Sequence, residues 1–439
     1  MNEIFKKTVF VCALFFFFSG ISFADEVADI RHELESLKSR IAFLEAKLED
    51  KESSADSPGL INSKAPCCGN VEDSLLGMNV AAGATFITQM AVSPNNNADK
   101  DDVTDASYSV SLEFEKEFQD KAKAFLCLET GDGQGVEDEL EVFSNVNRDA
   151  DDSDSGVSVS AAWYEHYLFE KQLDVTFGKL DPTCYLDQNE IANDECHHFV
   201  GRMFRNSSVI DFPDNGPGLR LRLLMNKIDW IEVESQFLDG DGDWEDISDN
   251  FFISYQVSIL PKILADLQGS YRLYGWTKRG SYTEWLDSSL TDENRYGFGL
   301  SFDQQIFESL TVFCRYGWVE DTVYDIDITS SSGANYSLEQ AFSGGIRLSG
   351  TLWGRGDDHL AMAGGVNMPS SEYEDAGLGL FADDEYHLET YYSWQVNDNF
   401  ILSPDMQIIW NPLGSDYQLA DKRRDDTAAV FSLRGQVDF

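Results

Sequence analysis

The sequence predicts an all-β protein: a 16-stranded antiparallel β-barrel of the outer-membrane type, preceded by a short coiled-coil helix. Three observations carry this prediction. Segments with period-two alternation recur from residue 78 to the C-terminus, and the connections between them alternate between long and short. The same region contains neither a long apolar run nor a convincing helical pattern, so strands rather than helices must cross any membrane.

The last strand candidate, residues 430–439, shows the alternation most clearly. Its apolar face consists of Phe431, Leu433, Val437 and Phe439, and its polar face of Ser432, Arg434, Gln436 and Asp438. The same division recurs in GLRLRL (218–223), in residues 265–274 and in GIRLSG (345–350). Because successive side chains of a strand point to opposite faces, each segment has one apolar and one polar surface.

The lengths of the connections distinguish a barrel from a soluble sandwich. Sixteen strand candidates begin near residues 78, 106, 121, 156, 172, 216, 227, 249, 263, 292, 308, 338, 358, 384, 399 and 427. Long connections include 91–105, 130–155, 181–215, 276–291, 319–337 and 412–426, and short ones include FEKQ, MNK, LPK, DQQIF and VNDN. Long loops on one rim, tight turns on the other and an even strand number are typical of a closed bacterial outer-membrane barrel.

The N-terminal 76 residues divide into three predicted segments. Residues 1–24 have the pattern of a secretory signal peptide, with a retained membrane anchor as the alternative. Residues 25–52 carry apolar residues at alternating spacings of three and four, which predicts a coiled-coil stalk in the periplasm that joins chains, weakly favouring a homotrimer. A helix packed on its own chain is the alternative. Residues 53–76 are a predicted linker containing Cys67 and Cys68, and residues 77–439 form the predicted barrel.

The composition narrows the range of partners. The chain carries a net charge of −46, which argues against nucleic acid and is compatible with bound divalent cations. Its 30 Phe, 17 Tyr and 9 Trp suit aromatic girdles where a barrel meets a lipid bilayer. Acidic loops are expected to be solvated near lipopolysaccharide. No cofactor and no enzymatic activity are expected.

One acidic loop, DGDGDWEDISD, has two interpretations. Asp239, Asp241 and Asp243 have the spacing of the first ligands of an EF-hand loop. Trp244 occupies the position where that motif requires glycine, and no flanking helices are predicted. The loop is therefore either a calcium site or a solvated hairpin loop.

Two motifs resemble the carbohydrate-selective porin (OprB-type) family. The first is FGKLDPTCYLDQNEIANDE followed by FRNSSVIDFPDNGPGLRLRL, with its matching positions at Gly178–Asp181, Asp187–Asn189, Asn193–Glu195 and Pro213–Gly218. The second is ETYYSWQVNDNFILSPDMQIIWNPLG, with Pro404-Asp405 and Asn411-Pro412. The resemblance implies a sixteen-stranded outer-membrane barrel that passes sugars by diffusion. It further implies that the loop after the fifth strand bends into the lumen and narrows it.

The predicted sugar site combines wall and loop residues. Period two places Arg220, Arg222, Arg272, Tyr274 and Arg347 on the polar face. Arginine offers several donors to hydroxyl groups, although ion pairs with wall carboxylates are the alternative role. The opposing loop residues are Asp181, Asp187, Asn189 and Glu190. A porin without sugar selectivity, general or cation-preferring, is the alternative function.

Two features of the same loop fall outside the family pattern. Cys184 and Cys196 are predicted to form a disulfide, and the alternative is a metal or acid-base site that also uses Asp194, Glu195 and His197. The spacing of the cysteines matches no standard zinc motif, and His197 and His198 are adjacent. The sequence offers no role for this histidine pair.

Overall fold

The computed structural model describes residues 71–75, 77–94, 102–137, 139–150, 156–225, 228–245, 247, 249–261, 267–325, 338–375, 383–414 and 427–439. The chain divides into two units, Met1–Asn62 and Ser63–Phe439. The predicted signal peptide, the predicted coiled coil and the linker as far as residue 70 lie outside the described residues. They therefore remain predictions.

The described part of the second unit is a closed antiparallel barrel of sixteen long strands with two short additions. Numbered in chain order, the strands are β1 (Val71–Leu75), β2 (Met78–Val92), β3 (Val103–Phe118), β4 (Ala122–Asp132), β5 (Ser158–Leu168), β6 (Leu173–Leu180), β7 (Gly216–Met225), β8 (Ile228–Asp239), β9 (Phe251–Ile259), β10 (Gly269–Glu284), β11 (Glu293–Phe307), β12 (Leu310–Val319), β13 (Val323–Asp325), β14 (Leu338–Ser349), β15 (His359–Pro369), β16 (Glu385–Asn397), β17 (Phe400–Trp410) and β18 (Thr427–Asp438). The short strands are β1, which pairs with β2, and β13, which pairs with the end of β10.

The barrel closes between its last and first long strands. β18 pairs with β2 from Ala429 opposite Val92 to Asp438 opposite Gly83. Phe439 then exchanges backbone hydrogen bonds with Ala82, at 2.9 and 3.3 Å. Closure pairs the backbone of what would otherwise be two open sheet edges, which is the condition for a sheet to lie in lipid.

The predicted strand number is confirmed, and the start positions agree within three residues for every long strand except β10. Several connections differ from the prediction. Residues 276–284, predicted as part of the long connection 276–291, belong to β10. DQQIF, predicted as a turn, belongs to β11, and the chain reverses at Glu308 and Ser309. Its polar residues resemble those of a turn, but Asp303 is buried against Arg272 instead. The short-turn rim also contains a nine-residue connection, 350–358, so loop length does not alternate strictly.

The two faces of the wall follow the predicted alternation. On β10, Leu273 is 55% exposed on the outside, whereas Arg272 is 6% exposed on the inside. On β7, Leu219, Leu221 and Leu223 point outward and Arg220 points inward. Helix is limited to α1 (Arg202–Arg205), α2 (Ser371–Asp375) and three 3₁₀ turns among the described residues. None of the helices in this part of the chain is long and apolar enough to span a membrane.

Two long-rim connections pack inside the barrel and supply most of its buried core. We call them lumen loop 1, residues 133–150, and lumen loop 2, residues 181–215. In lumen loop 2, Phe199 packs at 5.0 Å between ring centroids on Tyr391 and at 5.9 Å on Phe313 of the wall. In lumen loop 1, Leu140 and two valines pack on apolar residues of β17 and β18. The apolar interior is therefore formed between the loops and the inward face of the wall.

Candidate functional site: the lumen and its two loops

Lumen loop 2 leaves the wall through a capped turn. Asp181 Oδ1 accepts hydrogen bonds from the backbone N–H and hydroxyl of Thr183, at 2.9 and 2.7 Å. These bonds satisfy the start of the 3₁₀ turn Pro182–Cys184. Asp181, predicted to contact sugar, therefore acts on the backbone and directs the chain inward.

Arg315, on β12, binds lumen loop 2 at several points. Its guanidinium donates to the carbonyl oxygens of Phe204 at 2.6 Å, Ala192 at 2.5 Å and Asp187 at 3.1 Å. Its Nε lies 3.2 Å from Asp187 Oδ2, and the two side chains are 1% and 0% exposed. Burial raises the pKa of Asp187, while the charge of Arg315 opposes that rise. A single buried arginine thus binds three separate stretches of lumen loop 2 and holds them together.

Arg434, on β18, holds the same loop at a second place on the wall. It is 1% exposed and donates to the carbonyl oxygens of Glu195 at 2.5 Å and His198 at 2.8 Å. Near the end of the loop, Asp211 lies 3.1 Å from Lys278 and 3.8 Å from Arg295 on the wall. Burial would raise the pKa of Asp211, but these two cations lower it.

Wall carboxylates hold the loops through backbone N–H groups. Glu389 accepts hydrogen bonds from Val200 at 2.6 Å and Gly201 at 3.0 Å in lumen loop 2. Glu385 accepts from Phe143 in lumen loop 1, at 2.9 and 3.1 Å. These bonds give ionisable groups in the wall a partner in the loop backbone, which fixes the path of both loops.

His197 lies between two carboxylates. Its Nδ1 is 3.0 Å from Asp194 Oδ2, and its Nε2 is 3.1 Å from Asp438 Oδ2 at the end of β18. Burial alone would lower the pKa of His197, but the two carboxylates raise it to about 10. Burial would raise the pKa of Asp194, but His197 holds it at about 2. His197 is therefore an imidazolium that fastens the loop to the last strand.

Three of the predicted arginines are engaged in ion pairs on the wall. Arg220 contacts Glu165 and Glu234, and Arg272 contacts Asp303 at 2.8 Å. The partners of Arg222 are Asp174, Glu232 and Glu234. Because these guanidinium groups already have carboxylate partners, the geometry favours the alternative role foreseen for them, support of the barrel wall.

Arg347 differs from the other predicted arginines. It is half-buried on β14, and no carboxylate of the described residues lies within ion-pair distance of it. Glu190 is an exposed residue of lumen loop 2 that was predicted to face the solute. It lies close enough to Arg347 for the two opposite charges to attract each other. Burial, together with the charge of Arg347, lowers the pKa of nearby His198, so that this imidazole is neutral. Arg347 and Glu190 are the predicted site residues that keep polar atoms available to a solute.

Three other predicted site residues do not line open space. Asp187, Asn189 and Tyr274 are 0%, 6% and 2% exposed. Asn189 Nδ2 donates to Ser301 Oγ at 3.4 Å and to the Phe302 carbonyl at 3.3 Å. A loop packed inside a barrel must satisfy its polar groups against the wall, and Asp187 and Asn189 serve that purpose. Tyr274 instead belongs to an apolar cluster that includes Tyr185 and Leu186 of the loop.

The predicted disulfide is not formed. Cys184 and Cys196 are separate thiols with different surroundings. The thiol of Cys184 donates to Asp181 Oδ2 at 3.2 Å, and that of Cys196 to Asp149 Oδ1 at 3.8 Å. The loop is fastened instead by hydrogen bonds and ion pairs of Arg315 and His197 and by hydrogen bonds of Arg434.

An aromatic pair on the inner wall was not predicted. Phe125 and Trp163 stack with centroids 5.1 Å apart and an interplanar angle of 23°. Trp163 lies opposite Gly178, on the face that Thr176 and Arg220 share. Gly178 has φ +141°, and a Cβ there would lie 2.7 Å from Trp163 Cα. The glycine therefore allows the close approach of Trp163, and both rings stay half-buried at the lumen.

The residues that hold the loops were also missed as site residues: Arg295, Arg315, Arg434, Glu385 and Glu389. The sequence does indicate that each of them faces the lumen, because each lies on the polar face of a period-two segment. Periodicity gives the face of a residue, but it does not give the loop segment that reaches it.

A closed sixteen-stranded barrel, with long loops at one rim and two loops inside, defines the porin class of outer-membrane channels. The sequence model described as carbohydrate-selective porin, OprB family, matches residues 243–439. The predicted resemblance to the carbohydrate-selective porin family is thereby confirmed, and it supports an outer-membrane location. A sequence search of curated proteins gives no match.

Solved porin structures share the fold. The high-pH structure of Pseudomonas putida OprB superposes with a TM-score of 0.67 at 15% identity, covering 83% of this chain and 94% of that one. An anion-selective porin from Comamonas acidovorans has a TM-score of 0.52 at 10% identity, covering 82% and 99%. Salmonella typhi OmpF in complex with daunomycin has a TM-score of 0.51 at 8% identity, covering 84% and 100%. At these identities the likeness concerns the fold.

Proposed function

We propose that the protein is an outer-membrane porin through which carbohydrates diffuse passively, in a lumen narrowed by lumen loop 2. One observation carries the proposal: the charged groups that hold this loop are paired, whereas Arg347, Glu190 and the Phe125–Trp163 stack keep exposed surface. The match to the carbohydrate-selective porin family supports the choice of sugars.

The chemistry of these groups suits a neutral, hydroxylated solute. An arginine fork and a carboxylate hydrogen-bond to hydroxyls as donor and acceptor, respectively. Aromatic rings provide flat apolar surface for the C–H face of a pyranose. A small number of such contacts would bind a sugar weakly. A channel needs weak binding, because its solute must be able both to enter and to leave.

Swelling of liposomes that carry the protein tests the proposal. We expect faster swelling in neutral monosaccharides than in charged solutes of matched size. Equal rates for the two kinds of solute would refute sugar selectivity. Protein-free liposomes and liposomes with a heat-denatured sample provide the background rate.

Replacing Arg347 with alanine is expected to weaken block of the ion current by sugar. The loss of donors that are not ion-paired should raise the half-blocking sugar concentration by about tenfold, the equivalent of one hydrogen bond to a charged group. Arg272→Ala is the matched control, because Arg272 is paired with Asp303. The assignment fails if both variants change sugar block equally.

Trp163→Leu is expected to weaken sugar block by removing the stacked surface while keeping an apolar side chain at the site. The expected effect is about three- to tenfold in half-blocking concentration, with ion conductance nearly unchanged. Trp163→Phe should retain most of the affinity. The same block in the leucine variant as in the wild type would remove Trp163 from the solute path.

A cation-preferring porin is the second candidate. The net charge of −46 favours it, as does the inward carboxylate Glu113 on β3. Reversal potentials in a salt gradient across a planar bilayer separate the two functions. A strongly cation-selective potential without sugar block supports the second candidate over the first.

The predicted stalk, residues 25–52, completes the proposed architecture. We place it in the periplasm, where its heptads would join chains into a homotrimer after removal of residues 1–24. Mass measurement of the full mature chain and of a chain starting at residue 71 tests this role. A trimer that persists without the stalk would assign assembly to the barrel.

A further inference from the structure

The loop that joins β8 to β9 contains three carboxylates that converge on one point at the long-loop rim. One oxygen from each of Asp239, Asp241 and Asp243 lies within 4.8 Å of the others. Two oxygens bound to the same Ca²⁺, each about 2.4 Å from it, are at most about 4.8 Å apart. The three acids are therefore grouped closely enough for one ion to bridge them.

The burial of Asp239 is the second observation. Its side chain is 1% exposed, and its Oδ1 is buried with no hydrogen-bond partner among the described residues. Its Oδ2 accepts a hydrogen bond from the backbone N–H of Asp243 at 3.1 Å. A buried carboxylate oxygen without a donor is costly, and a cation between the three acids would satisfy it.

The described side chains do not neutralise this charge. No lysine or arginine of the described ranges forms an ion pair with Asp239, Asp241 or Asp243. Asn250 Nδ2 donates to Asp241 Oδ2 at 2.8 Å, which is a neutral partner. Three adjacent negative charges repel one another, and a bound cation would relieve this repulsion.

We propose that Asp239, Asp241 and Asp243 bind one Ca²⁺ ion at the long-loop rim. Calcium is favoured over magnesium because the donors are carboxylates on an irregular loop, and Ca²⁺ accepts six to eight oxygens in flexible geometry. Backbone carbonyls and water would complete its coordination. The site is independent of the sugar path inside the barrel.

Calorimetric titration of CaCl₂ into the full chain in detergent, after EDTA treatment and dialysis, tests the site. We expect one ion per chain with a Kd of about 10⁻⁴–10⁻³ M, the range of extracellular modules. Asp241→Asn/Asp243→Asn should weaken binding at least tenfold. Asp287→Asn/Asp292→Asn, which removes the same charge from another exposed loop, is the matched control and should bind as the wild type does.

Terbium luminescence locates the ion. Trp244 follows Asp243 directly and is 55% exposed, so its excitation should sensitise bound Tb³⁺. Trp244→Phe should abolish this emission while Ca²⁺ binding in calorimetry is unchanged. Absence of binding up to about 10 mM Ca²⁺, equal weakening in both double variants, or full emission from the Trp244→Phe variant would overturn the proposal.

Discussion

Replacing Arg315 with alanine is expected to release lumen loop 2 and raise the single-channel conductance several-fold. The substitution removes three hydrogen bonds to loop carbonyls and leaves Asp187 buried without its ion-pair partner. Breaking one side of a buried ion pair costs about 3–5 kcal/mol, enough to shift the loop from mostly bound to mostly free. Planar-bilayer recordings measure the conductance, and limited proteolysis measures the accessibility of residues 181–215.

Arg222→Ala is the control for this experiment. Arg222 is also an inward arginine with carboxylate partners, but those partners, Asp174 and Glu232, are on the wall. It should lower barrel stability without a comparable gain in conductance or in cleavage of the loop. If Arg315→Ala conducts as the wild type does and its loop stays protected, Arg315 does not hold the loop.

Replacing His197 with glutamine is expected to loosen the tip of lumen loop 2 where it meets β18. The imidazolium and Asp194 retain 24% and 17% of their side-chain exposure, so the loss should be about 2–3 kcal/mol, below the range for fully buried pairs. Larger current fluctuations and a higher mean conductance at neutral pH are the expected readout. His166→Gln, on strand β5 of the wall, is the control.

The same contact predicts a pH dependence. The pKa of His197 is raised from 6.5 to about 10, so its stabilising contribution is complete below pH 6.5 and is lost as pH rises through about 10. The pKa of Asp194 is lowered from 3.8 to about 2, so its contribution is complete above pH 3.8 and is lost as pH falls through about 2. The wild type should conduct least between these limits. A His197→Gln variant with the same alkaline rise in conductance would contradict the assignment.

The sequence was sufficient for the barrel because its signals are local. Alternation such as that of Arg272 and Leu273 reports directly which face meets lipid, and loop length reports the rim. The 16 strands followed from these two patterns. DQQIF was misplaced because polar residues that face a lumen resemble those of a turn.

The candidate site was less predictable because it depends on contacts between distant segments. The arginines were correctly placed on the inner face, but the sequence does not reveal which have a carboxylate within reach. Arg220 and Arg347 have the same pattern, yet the first has carboxylate partners at ion-pair distance and the second has none among the described residues. His197 could be interpreted only when Asp438, 241 residues away, was found beside it.

That separation has a consequence for the order of assembly. Lumen loop 2 takes its fastening from Arg434 and Asp438, which belong to the final strand of the chain. Contacts between such distant segments form late, because a long stretch of chain must be ordered before they can be made. The interior of the barrel therefore reaches its final shape only when β18 joins β2, and an unfinished barrel would lack the final position of lumen loop 2.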